Sequence, residues 1–114
     1  MLQRHFKAIA FPNIPSPYDL VAESYGGSFL KCQVKTCDSV NVINGCRYWR
    51  FHTSNKAGAY LETEVDFFAL VSLPRRLVFF RAVSDVKKVC RIREDQMTER
   101  GEIESLDAVL GQYL

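Results

Sequence analysis

The stretch Phe29-Leu30-Lys31-Cys32-Gln33-Val34-Lys35-Thr36-Cys37 decides the reading of this chain. Its alternation is that of a strand, in which successive side chains point to opposite faces. Phe29, Lys31, Gln33, Lys35 and Cys37 share one face. Leu30, Cys32, Val34 and Thr36 share the other, which reads as the core face. Upstream, Tyr18-Asp19-Leu20-Val21-Ala22 is a short apolar strand carrying one acid, with Asp19 and Val21 on one face. Between the two lies Tyr25-Gly26-Gly27-Ser28, a hairpin turn signal. The hairpin brings an acid, an amide oxygen and a lysine together at its surface.

Outward from that hairpin the chain is rich in strand signals. Phe6 to Phe11 reads as an edge strand, stopped by Pro12, Pro15 and Pro17, which cannot donate to a ladder. Cys46 to Thr53 reads as a strand that forms a second hairpin around Asn44-Gly45. Ser54 to Ala59 reads as a loop, and Tyr60 to Glu64 as a helical turn. Val65 to Val71 is almost entirely apolar, as a central strand is, and Leu77 to Val83 pairs with it across the turn Leu73-Pro74-Arg75-Arg76. Val86, Val89 and Ile92 recur at helical spacing, although a strand through Val89–Ile92 fits as well. Ser105 reads as the cap of a last helix, 106–114, whose Leu106, Val109, Leu110 and Tyr113 form one stripe.

Composition narrows the function classes. A chain of 114 residues, 47% hydrophobic, is expected to fold as a single domain over residues 1–114. No apolar run is long enough to span a membrane, and the start shows no signal peptide, so a cytoplasmic location with reduced thiols is expected. Cys32, Cys37, Cys46 and Cys90 lack the paired spacing of a zinc site, and His5 and His52 do not supply it. The net charge of +2 is small, but its distribution is uneven. Lys7, Lys31, Lys35, Arg47, Arg50, Lys56, Arg75 and Arg76 precede an acidic end with Glu94, Asp95, Glu99, Glu102, Glu104 and Asp107. Such a body is compatible with a polyanion partner, and equally with solvated faces. The aromatics Tyr48, Trp49, Phe51, Phe67, Phe68, Phe79 and Phe80 read as core.

The hairpin has the groups that metal-dependent phosphodiester hydrolysis uses. Magnesium takes oxygen ligands and keeps several waters. Asp19 offers a carboxylate, Gln33 an amide oxygen and Val34 a backbone carbonyl. Lys35 is placed to orient water or to stabilise developing negative charge. The same groups also fit the solvated face of an edge hairpin.

These residues carry a resemblance. Pro17-Tyr18-Asp19-Leu20-Val21, followed by Gln33-Val34-Lys35-Thr36, resembles the PD-(D/E)xK nuclease superfamily, in particular the group I intron-associated homing endonucleases with Gln at the second acid position. Tyr60, Val65 to Val71 and the closing hairpin strand also resemble that family. The likeness spans about residues 6–83. It implies an α/β, restriction-endonuclease-like mixed sheet with few flanking helices. It implies Asp19, Gln33 and Lys35 as catalytic residues, Mg2+ held by Asp19, Gln33 and Val34, and double-stranded DNA as substrate. Such families place a helix, often bearing a glutamate, before the first strand. Here only Met1 to His5 stand there, with no acid before Asp19, so that helix is expected to be short or missing. A homo-oligomer, dimer or tetramer, is expected to cover the face it leaves. The function read from the chain is a homing-endonuclease-like DNA endonuclease. The alternatives are an inactive nuclease-fold module that binds nucleic acid or protein, and a Holliday junction resolvase-like enzyme.

Overall fold

The computed structural model describes residues 6–55, 58–61 and 63–113. The expectation of a missing or short helix before the first strand falls on residues 1–5 and lies outside the described residues, as does Lys56.

The Phe29–Cys37 stretch is a strand along its whole length, β3, and stands at the centre of a five-stranded sheet. The strands are β1 (Phe6–Ala10), β2 (Leu20–Ser24), β3, β8 (Phe67–Ser72) and β9 (Leu77–Ala82), in the order β1-β2-β3-β8-β9. β3 and β8 run parallel; every other pair is antiparallel. A parallel pair needs a long crossover. Here the crossover is itself sheet: β4 (Val40–Ile43), β5 (Cys46–His52), β6 (Ser54–Asn55) and β7 (Gly58–Ala59). β4 and β5 form the hairpin expected at Asn44-Gly45, both with positive φ (51° and 79°), as a tight two-residue turn demands. β10 (Val89–Arg93) then joins β5, giving a three-stranded sheet β10-β5-β4.

Two apolar clusters hold the layers together. On one face of the large sheet Leu20, Ala22, Leu30, Cys32, Phe67, Ala69 and Phe80 pack against Leu106 and Val109 of the helix α1 (Glu99–Tyr113). On the other face Phe68 and Leu70 pack against Trp49, Phe51, Cys90 and Ile92 of the small sheet. β8 feeds both clusters with alternate residues, which is why its sequence is a continuous apolar run. The result is a mixed α/β fold, mostly sheet, with one C-terminal α-helix among the described residues.

Several expectations are corrected. β2 begins at Leu20, so Tyr18 and Asp19 lie before the strand rather than in it. The core face of β3 is only partly buried: Leu30 and Cys32 are covered, Val34 is half-buried and Thr36 exposed. Ser54–Asn55 and Gly58–Ala59 pair as a small hairpin instead of an open loop. Val89 to Arg93 is a strand, with Cys90 and Ile92 turned inward. Helix α1 starts at Glu99, ahead of Ser105. Thr98 caps it, its Oγ1 accepting the Gly101 N–H at 2.9 Å. Ser105 is buried instead, and its Oγ accepts the N–H of Phe80 on β9 at 2.9 Å. With Glu102, which accepts the Val78 N–H at 2.8 Å, it satisfies donors along the free edge of the sheet. Arg75 is more than a solvated turn residue: it lies 3.6 Å from Glu94, which Arg47 also contacts at 2.8 Å. The Arg47 hydrogen bond is the main reason the Glu94 carboxyl sits below its ordinary range.

Candidate metal and catalytic site

The site arises where β2 leaves β3. The ladder between them ends at Leu20 opposite Cys32, with a last backbone bond from the Asp19 N–H to the Cys32 carbonyl at 2.8 Å. Upstream of this point Pro15 and Pro17 lead the chain away, so among the described residues no strand lies opposite Val34 on that side. The Asp19 carboxylate takes the vacant place: its Oδ2 accepts the Val34 N–H at 2.8 Å. In a strand the N–H and C=O of one residue point to the same side. The Val34 carbonyl therefore opens towards the gap that the exposed Asp19 side chain occupies.

Gln33 and Lys35 project from the face of β3 shared by Cys37, and both are half-buried. The sequence leaves that face open. In the structure the small sheet covers its far end, where Cys37 packs into the second cluster. Lys35 is held from this side: its Nζ donates to the Tyr60 hydroxyl at 3.2 Å and lies 5.1 Å from the ring centroid. Tyr60 in turn stands edge-on to Phe68. A cation beside a ring gains from its negative face, so Tyr60 orients the ammonium without neutralising it. In the sequence, Tyr60 stands out only by its likeness to the family. Its link to Lys35 comes from the crossover and has no local signal.

Asp66, whose backbone N–H donates to the Lys31 carbonyl at 2.8 Å, accepts the Lys31 N–H through Oδ2 at 2.7 Å. It closes the start of the parallel ladder, as a strand-opening acid does. Lys31 reaches the Thr63 carbonyl with its Nζ. Cys32, beside Asp19, is a core thiol: burial, with a smaller push from the Asp19 charge and against a hydrogen bond at Ala69, raises its pKa to about 12. Among the described residues no group of three or more His, Cys, Asp and Glu side chains is arranged to hold a metal. The gap offers one carboxylate and one backbone carbonyl, and Gln33 stands on the adjoining face of the same strand. These are hard oxygen donors, too few to cage an ion, and they fit a magnesium that retains waters.

No family model and no curated protein matches the chain. Its fold is similar to the solved structure of a bacterial homing endonuclease, I-Ssp6803I, with a TM-score of 0.62 over 92% of this chain and 80% of that one, at 18% sequence identity.

Proposed function

We propose that the chain is a magnesium-dependent endonuclease that hydrolyses phosphodiester bonds in double-stranded DNA, homing-endonuclease-like in its chemistry. One observation carries this reading. The Asp19 carboxylate accepts the Val34 N–H in the gap beside β3, on the side to which the Val34 carbonyl opens, with Gln33 and Lys35 two residues apart on the same strand. Asp19, Gln33 and Val34 would hold the ion. When bound, it neutralises a phosphate and makes water a better nucleophile at neutral pH. Asp19 is fixed for this task by its bond to Val34, which leaves its second oxygen for a cation. Lys35, oriented by Tyr60, places a positive charge where negative charge develops on the phosphate. The fold likeness to a homing endonuclease supports the reading.

A second reading is favoured by the lack, among the described residues, of a group of three or more metal-binding His, Cys, Asp or Glu side chains: an inactive nuclease-fold module that binds nucleic acid. Cleavage of duplex plasmid DNA in Mg2+ and in chelator separates the two. The nuclease reading expects Mg2+-dependent cleavage that Asp19→Asn and Lys35→Ala each reduce by about 10²–10³-fold, the usual scale for one electrostatic group. Cleavage unchanged by both substitutions ends it. Comparing a linear duplex with a four-way junction then distinguishes a homing enzyme from a resolvase.

A further inference from the structure

The outer face of the small sheet carries a basic constellation of its own. Because Trp49, Phe51, Cys90 and Ile92 turn inward, Tyr48, Arg50 and His52 of β5 and Arg91 and Arg93 of β10 turn outward. The register sets Arg50 directly opposite Arg91, and Arg93 opposite Tyr48. Like charges paired across two strands are destabilising, so this arrangement is not what a mere cover for the core needs. On β4 the outward residues are Asn41 and Ile43, neither of them acidic. Exposed Lys87 and Lys88 lead into β10. Arg93 is partly offset by Asp95 at 3.3 Å. Arg50, Arg91, Lys87 and Lys88 have no ion pair among the described residues. A chain whose whole net charge is +2 thus sets two uncompensated arginines on this face, with two exposed lysines in the segment that enters it.

Solvation alone explains charges whose side chains are free to splay into water. Arg50 differs: its Nε is buried without a hydrogen-bond partner among the described residues. The register sets Arg50 opposite a second arginine, Arg91, and neighbouring guanidinium groups suit phosphate oxygens, which they bind through paired donors.

We propose that the outward face of β10-β5-β4, with Arg50 and Arg91 at its centre, binds the phosphate backbone of duplex DNA. The choice of duplex rests on the nuclease reading; the charge argument does not. A two-stranded ribbon fits the major groove, about 12 Å wide. The β4–β5 hairpin begins at Val40, shortly after β3 ends at Cys37, so this surface follows on from the strand that carries the candidate site.

The test is fluorescence anisotropy with a labelled mixed-sequence duplex in chelator, so that nothing is cleaved, across a range of salt. The full chain is compared with Arg50→Gln/Arg91→Gln and with Arg100→Gln on α1 as a control. The double variant is expected to bind at least tenfold more weakly, with its salt slope reduced by about two, since each phosphate contact contributes roughly 0.9. Arg100→Gln is expected to match the parent. A second double variant, Arg50→Lys/Arg91→Lys, keeps the charge and is expected to keep the slope while binding less tightly. Equal affinity and slope for the Gln variant and the parent overturn the proposal, as does absence of duplex binding by the parent at low salt. Arg-dependent binding without cleavage in Mg2+ supports this surface and ends the nuclease reading. Asp19-dependent cleavage with affinity indifferent to both arginines does the reverse.

Discussion

Asp19 has two tasks, and substitution separates them. Its carboxylate accepts the Val34 N–H and is proposed to hold a cation. Asp19→Asn keeps an acceptor, so urea denaturation is expected to place it within about 0.5 kcal/mol of the parent, whereas Asp19→Ala loses roughly 1 kcal/mol, the usual net value of one hydrogen bond. Both are expected to lose cleavage alike. Equal stability of the two variants would remove the structural role. At Tyr60, Phe keeps the ring beside Lys35 and loses only the hydroxyl contact. Tyr60→Phe is accordingly expected to retain cleavage within about tenfold, and Tyr60→Ala to fall further, because only about 0.5–1 kcal/mol attaches to an exposed cation–ring contact. The thiols give a pH prediction. Burial raises Cys32 to about 12 and pushes Cys90 up as well, while Cys46 is exposed. Alkylation at pH 8 read by mass spectrometry is expected to mark Cys46 and to spare Cys32 and Cys90 until denaturant is added. The folded chain retains protons that the unfolded chain releases. The thiol contribution to stability is therefore complete below pH 9.0 and declines as pH rises from there towards 12.

At the scale of elements, the start of α1 packs against the turn that precedes it with little room for change. A Cβ at Gly101 would lie 2.0 Å from the Gln96 carbonyl oxygen. Alanine there gains about 1 kcal/mol of helix propensity, yet Gly101→Ala is expected to be destabilised by a net ~1–3 kcal/mol in thermal unfolding, because backbone must shift. A stabilised variant would contradict the packing described. The local signals explain which elements are legible in the sequence. The β8–β9 hairpin declares itself by two apolar runs and a turn, and the β4–β5 hairpin by Asn44-Gly45. β10 is ambiguous because Val86, Val89 and Ile92 coincide with helical spacing, while the strand pattern depends on counting Cys90 as a hydrophobe. Ser105 suggests a cap, since nothing local shows that its hydroxyl reaches Phe80 on another element. At the site, the Asp19, Gln33 and Lys35 types are visible in the sequence. Their surroundings are not: the end of the β2 ladder, the contact with Tyr60 and the small sheet over the far end of that face all depend on long-range pairing.

At the scale of the molecule, the chain measures 44 × 33 × 23 Å. Specific DNA interfaces commonly bury about 1,000–2,500 Å² of protein, a large share of so small a body, and cutting both strands calls for two sites. Phe11, Tyr25 and Phe29 are 71%, 69% and 65% exposed at the β1-β2-β3 end of the sheet. Sedimentation equilibrium is therefore expected to show a dimer or tetramer, and a monomer at all concentrations would leave each chain to nick one strand only. No helix among the described residues is long and apolar enough to cross a membrane. The central claim, that the gap where β2 leaves β3 holds a divalent cation, is tested most directly by titrating the folded chain with Mn2+ and following backbone amide resonances. The account predicts that the Asp19, Gln33 and Val34 signals broaden first, that excess Mg2+ restores them, and that Asp19→Asn abolishes the effect. Broadening centred elsewhere, or none at these three amides, would contradict it.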